Sequence, residues 1–289
     1  MRSWLGAVAT LCLLCASHSL GAPFADVEQL HYGSDDPLQV GELRLPPGNG
    51  PFPLAVVIHG GCWRAGATLA GTAGLADALR RAGVATWNIE YRRVGDSGGG
   101  WPGTFRDVGA ATDFVRTLAV DHRIDLRRVV AVGHSAGAQL ALWDAARAKL
   151  PPGSALYRES PLALRGVVAL AGPGDLRGLT RGADSVCGKG ILQGLLGGTL
   201  EAVPEHYAQA SAAAFLPLGV RQVLITGSED RVMPTRSIGS YVQAARDSGD
   251  TAELIEIPSA SHMDMVDPRS RAWQIVRREV LRLVGDSAP

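Results

Sequence analysis

Three residues able to cut an acyl bond between them are scattered along the chain. Ser135 sits in Gly133-His134-Ser135-Ala136-Gly137, Asp230 in Gly227-Ser228-Glu229-Asp230, and His262 just after Pro258-Ser259-Ala260-Ser261. A serine hydroxyl attacks a carbonyl only if a base takes its proton, a further group orients that base, and N–H donors receive the oxyanion. In a chain with 36 glycines the pentapeptide around Ser135 is a weak signal alone. Its setting strengthens it. The apolar run Arg128–Val132 leads in and a helical stretch, 136–149, leads out, so Ser135 falls on a sharp strand-to-helix turn beside the positive end of a helix.

His262 is the best base, since it lies in a short loop between a strand and the last helix. Its rivals are His31 in an N-terminal hairpin, His122 at a helix end, His206 in a long insertion, and His134, whose place on the turn predicts a ring pointing elsewhere. Asp230 follows a strand and is the best orienting acid. Glu229 is the neighbouring alternative, and Asp264 and Asp267 read as a helix-entry pair. Oxyanion donors are expected where the strand Leu54–Ile58 runs into His59-Gly60-Gly61-Cys62-Trp63. Successive glycines there let the N–H groups of Gly61 and Cys62 turn toward one point, joined by the Ala136 N–H. Trp63 and Trp101 are candidates to line a substrate pocket, although core packing suits each equally well.

These residues need a sheet to hold them. Short β-branched runs at 54–58, 84–89, 129–132, 166–171, 222–226 and 253–257 alternate with helical patterns at 72–81, 105–120, 136–149, 235–247 and 269–284. That alternation predicts an α/β fold whose mostly parallel sheet is covered on both faces. Residues 27–32 and 38–45 bracket a turn and predict an antiparallel hairpin at one edge. The stretch 95–103 reads as a loop. Residues 176–218, with helical candidates at 190–196 and 204–214, form a connection far longer than usual and are expected to be a partial lid.

Length and composition bound the rest. The chain has 289 residues, 46% of them hydrophobic, enough for one large core. Formal charge balances at zero, so no basic excess suggests a nucleic-acid partner. Only Lys149 and Lys189 among the cations are lysines. Arg2, the apolar run 5–16 and the small residues up to Ala22 have the layout of a secretory signal peptide, too short to span a bilayer. The expectation is therefore residues 1–22 as a leader, 23–289 as a single domain, export to the periplasm or beyond, and no membrane span in the mature chain. Cys12 and Cys15 would leave with the leader. Cys62 and Cys187 would remain, either bridged or packed as separate small hydrophobes. After the leader-like segment no Cys-x-x-Cys or His-Glu-x-x-His pattern suggests a metal, no glycine turn is followed by the Lys-Ser/Thr of a nucleotide site, and no cofactor is implied.

The order Ser135, Asp230, His262, with His59-Gly60-Gly61-Cys62-Trp63 far upstream, resembles the α/β-hydrolase fold. Within it the chain is similar to the esterase/lipase branch, and nearest to kynurenine-formamidase-like and feruloyl- or acetylxylan-esterase-like proteins. Glu90-Tyr91-Arg92 after the second core strand fits that branch. The resemblance spans residue 38 to the C-terminus. It implies a serine esterase acting through an acyl-enzyme on a small-molecule ester with a small or medium acyl group. The neighbouring possibilities are amide cleavage, as an arylformamidase or serine peptidase, and a non-catalytic binding protein on the same fold. The leader-like segment departs from the intracellular formamidases.

Overall fold

The computed structural model describes residues 27–179, 186–233 and 235–285. The leader-like segment and part of the long insertion lie outside the described residues. Among the described residues eight strands form one sheet in the order β1-β2-β4-β3-β5-β6-β7-β8. They are β1 (Val27–His31), β2 (Val40–Arg44), β3 (Phe52–Ile58), β4 (Ala85–Ile89), β5 (Ile124–His134), β6 (Gly166–Leu170), β7 (Arg221–Gly227) and β8 (Ala252–Ile257). The hairpin β1–β2 joins β4 antiparallel, and from β4 to β8 every pairing is parallel.

The period-2 geometry of a strand explains how continuous apolar runs serve two faces. Leu54, Val56 and Ile58 of β3 and Val129 and Ala131 of β5 enter one core cluster, while Ala55, Val57, Val130 and Val132 enter the other. The second cluster is closed by α1 (Ala73–Arg81), through Leu75, Ala76 and Leu79, and by α8 (Ala272–Val284), through Val276, Val280 and Leu283. The first is closed by α2 (Gly103–Asp113), α3 (Val115–His122), α4 (Ala136–Ala146) and α7 (Thr235–Asp247). The result is a three-layer α/β-hydrolase fold, with the C-terminal ends of the parallel strands opening on one edge. In such sheets that edge is where ligands bind.

Three differences from the sequence reading have local causes. The helix expected over 105–120 is two, α2 and α3. The break falls beside Asp113, whose carboxylate takes the Arg147 guanidinium and the Leu162 amide. The last helix starts at Ala272 rather than 269, because the Asp267 carboxylate folds Arg269 into a turn through its N–H and its guanidinium. In the insertion, α5 (Ile191–Leu196) is followed by α6 (Pro204–Gln209), which stops short of the expected 214. There the Ser211 hydroxyl donates to the Tyr207 carbonyl and accepts the Leu176 N–H, closing the end of the helix onto the insertion's first residues.

Candidate active site

Ser135 lies between β5 and α4 with φ 54° and ψ −117°, a backbone region costly for any residue with a side chain. The turn is held from both sides. Its own N–H donates to the Leu170 carbonyl of β6 at 2.8 Å, and its carbonyl accepts the Ala138 N–H at 3.0 Å. A Cβ on Gly137 would collide with the carbonyls of Ile58 and His59, so only glycine lets the helix start this close to the end of β3.

Past β7, Asp230 turns back into the protein and its side chain is fully enclosed. One carboxylate oxygen, Oδ1, accepts the N–H groups of Val232 and Met233, each at 2.8 Å. The other, Oδ2, is 2.8 Å from Nδ1 of His262, which follows β8. Burial alone would raise the Asp230 pKa. The His262 hydrogen bond and the two amides outweigh it and hold the carboxyl below its ordinary value. A charged acceptor at Nδ1 fixes the proton there and leaves Nε2 of His262 unprotonated, as a base requires. Ser135 and His262 border the same cavity, of about 420 Å3. Among the described residues no hydrogen bond joins them, and catalytic bonds of this kind are often long until substrate tightens them. Glu229 makes no such contact. Asp264 instead receives the Ser261 N–H and hydroxyl, both at 2.6 Å, and so shapes the loop that carries His262.

The loop after β3 has positive φ at three successive residues, 108° at Gly61, 55° at Cys62 and 53° at Trp63, and is strained at the latter two. Gly61 and Cys62 border the Ser135–His262 cavity. Cys62 and Ala136 also border a second cavity, of about 200 Å3, that shares Ser135. Among the described residues the N–H groups of Gly61, Cys62 and Ala136 are given to no other acceptor, so all three are available to an oxyanion at Ser135. Beneath the loop is a buried polar cluster that the sequence reading did not identify as part of the site. Nε2 of His59 is 2.8 Å from Glu90, its Nδ1 is 2.7 Å from the Gly60 carbonyl, and its ring stacks on Tyr91, whose hydroxyl donates to the His59 carbonyl. Arg93 pairs with Glu90 at 3.0 Å. Burial would raise the Glu90 pKa, but the His59 hydrogen bond, the Arg93 guanidinium and the Leu69 N–H bring it below its ordinary value. Glu90-Tyr91-Arg92 was the sequence signal for this cluster, because it lies on the neighbouring strand end.

His134 corrects an expectation. Its ring turns into the site, not away from it. Nε2 lies 3.1 Å from the His262 carbonyl, the two rings are 4.7 Å apart, and His134 borders the larger cavity. A Cβ on Gly60 would press on both His134 and Ser135, so the loop after β3 passes directly against the turn at Ser135. His134 thus touches the segments carrying Ser135, His262 and Gly60. Burial, then the nearness of His262, push its pKa down to about 4, so the ring is neutral and Nε2–H donates to the His262 carbonyl. The unfolded chain binds this proton more readily, so the stability involved is complete above pH 6.5 and is lost as pH falls through 4. The amount is about 3 kcal/mol. His134→Gln keeps an N–H near the Nε2 position and cannot titrate. Urea unfolding at pH 7 and at pH 4.5 should show a flatter acid loss for this variant than for wild type.

The two tryptophans separate. Trp63 borders the smaller cavity and is fixed there by its indole N–H, which donates to Gln139 at 3.0 Å. Gln139 in turn donates to the Ala210 carbonyl, tying the loop after β3 to the insertion through α4. Trp101, expected as a pocket candidate, borders neither cavity. It stacks on His206 with ring centres 4.1 Å apart and packs against Phe105, because the glycine-rich loop before α2 carries it over the insertion.

Cys62 and Cys187 form a disulfide across a sequence separation of 125 residues, with Cα atoms 5.4 Å apart. It joins the loop after β3 to the insertion, and Gly178, Leu179, Val186 and Cys187 of the insertion wall the smaller cavity. Replacing both cysteines by alanine should cost about 2–4 kcal/mol of stability, mostly by freeing the unfolded chain. It should also raise KM more than it lowers kcat, as read by denaturation and steady-state kinetics. Among the described residues no group of three His, Cys, Asp or Glu side chains is placed to hold a metal ion, and no helix is long and apolar enough to cross a membrane.

Comparison with known proteins places this geometry. A truncated carbohydrate esterase from gut microbiota is similar in structure, with a TM-score of 0.76 at 20% identity over 90% of this chain and 97% of that one. A bifunctional GH43-CE protein of Bacteroides eggerthii matches with a TM-score of 0.73 at 22% identity. The match covers 89% of this chain but 38% of that larger one. Esterase Est2 of the planctomycete Thermogutta terrifontis, with propionate bound, matches with a TM-score of 0.71 at 20% identity over 91% and 96% of the two chains. No curated protein matches the chain by sequence. The family model BD-FAE matches residues 42–240, from β2 through Ser135 and Asp230 into α7, and the chain belongs to that family.

Proposed function

We propose that the protein is a serine hydrolase of carboxylic esters, with Ser135 as nucleophile, His262 as base and Asp230 as its orienting acid. The observation that carries this reading is the enclosed Asp230 carboxylate 2.8 Å from Nδ1 of His262, with His262 bordering the same cavity as a serine on a strained elbow. The family and the esterase names of the similar structures support it, as does Est2 of Thermogutta terrifontis phosphorylated by paraoxon.

In this reading Nε2 of His262 takes the Ser135 proton as Oγ attacks the carbonyl carbon. The oxyanion is received by the N–H groups of Gly61, Cys62 and Ala136, each contributing about 3–4 kcal/mol to the transition state. The C–O bond then breaks, and His262 returns the proton to the leaving alcohol. Water repeats the sequence on the acyl-enzyme. Because His262 must reach the leaving oxygen, the alcohol belongs in the larger cavity, which His262 borders. The acyl group belongs in the smaller one, which shares Ser135 but not His262. The smaller volume favours short or medium acyl groups. The insertion acts as a fixed lid over that cavity, and the disulfide supports export to an oxidising compartment.

Two measurements test the assignment together. A panel of p-nitrophenyl esters from acetate to decanoate should show turnover falling beyond medium chain length. Paraoxon should label Ser135 with one equivalent by peptide mass spectrometry. Label on any other residue, or no turnover of any ester, would overturn it.

A further inference from the structure

We propose that the acyl cavity selects acyl groups ending in a carboxylate, so that half-esters of short dicarboxylic acids are preferred substrates, and that Arg231 is the residue that selects them. This rests on the serine-hydrolase reading above and on its assignment of the acyl side.

The smaller cavity has apolar walls, with Trp63, Leu179, Val186, Met233 and the disulfide among them. Among the described residues that line it, the one charged side chain is Arg231, and it is accompanied by the hydroxyl-bearing Ser237. Both are exposed, so they stand on the solvent side of the cavity, whereas Ser135 is buried. An acyl chain attached to Ser135 therefore runs along an apolar wall toward a cation.

Arg231 is also free to bind. Many arginines of this chain are tied to carboxylates, including Arg92 to Asp107, Arg147 to Asp113 and Arg282 to Glu253. Arg231 makes no ion pair or hydrogen bond among the described residues. The nearest acid in sequence, Asp230, cannot neutralise it. Its two oxygens are committed to His262 and to the Val232 and Met233 amides, and its side chain is closed to solvent. Among the described residues no acidic side chain borders the cavity to repel an anion. Arginine offers a planar fork of donors that matches a carboxylate in two-point contact. A neutral acyl end would leave that fork in water and gain nothing from it.

The chemistry is unchanged. Oγ of Ser135 bonds to the ester carbon, the alcohol leaves with the proton passed through His262, and water releases the dicarboxylic acid. The free carboxylate takes no part beyond binding.

The test compares monoethyl glutarate with its neutral isostere, ethyl glutaramate, by titrating released acid at constant pH and low salt. Wild type should favour the half-ester by about two- to fivefold in kcat/KM, the size of one exposed charge-assisted pair. Arg231→Gln should remove most of that ratio, and Arg231→Glu should invert it. Salt at 0.5 M should compress the wild-type ratio toward that of Arg231→Gln. Hydrolysis of both esters with no preference, or a preference that survives Arg231→Gln, overturns the selectivity and leaves the hydrolase reading standing. Hydrolysis of neither these esters nor p-nitrophenyl acetate overturns the hydrolase reading and the selectivity with it.

Discussion

Ser135→Ala should lower ester turnover by about 10⁵- to 10⁶-fold while substrate binding is largely kept. The residual rate would come from the N–H groups of Gly61, Cys62 and Ala136, which remain in place around water attack. The fold should survive, because the elbow is held by backbone bonds to Leu170 and Ala138 and the hydroxyl has no bond of its own among the described residues. Ser135→Gly makes the contrast sharper. It also removes the nucleophile, but glycine tolerates φ 54°, ψ −117° far better than serine, so it should gain about 1 kcal/mol in stability. Function and stability would then move in opposite directions at one position. The pair of measurements is p-nitrophenyl butyrate turnover and urea unfolding. Near-normal turnover in either variant would displace Ser135 as nucleophile.

Asp230→Asn should cost about 10⁴-fold in kcat, and the structure gives the reason. Oδ1 faces the N–H groups of Val232 and Met233, so an asparagine must place its carbonyl oxygen there and turn its NH2 toward His262. That NH2 donates where the carboxylate accepted. Nδ1 of His262 must then give up its proton, Nε2 takes it, and the base facing Ser135 becomes a donor. The loss is one of tautomer more than of charge. Steady-state kinetics with Glu229→Gln as a control, expected to behave as wild type, would check it. Comparable losses in both variants would move the orienting role off Asp230.

The sheet was readable from the chain because its strands are buried on both faces, and so appear as unbroken β-branched runs such as Leu54–Ile58 and Val129–Val132. Helix ends were less readable, since apolar periodicity runs through Phe114 without registering the Asp113–Arg147 pair that breaks the helix there. Residue types and strand ends suggested which groups could meet near Ser135. They could not show side-chain direction. The His134 ring turns inward because the elbow and Gly60 leave it that space, and Trp101 is carried off by a loop whose path glycines do not encode. The Cys62–Cys187 bond was left open because 125 intervening residues say nothing about approach in space. Arg231 gave no signal in a chain so rich in arginine.

The site also divides mechanically. The hydroxyl and the amides facing it hang from β5 and β3 in the middle of the sheet, whereas His262 follows β8, an edge strand that among the described residues pairs with β7 alone. Margins of a sheet fray at lower free energy than its centre. On warming, the molecule should therefore pass through a population that keeps most of its architecture yet is chemically silent, with Ser135 in place and His262 adrift.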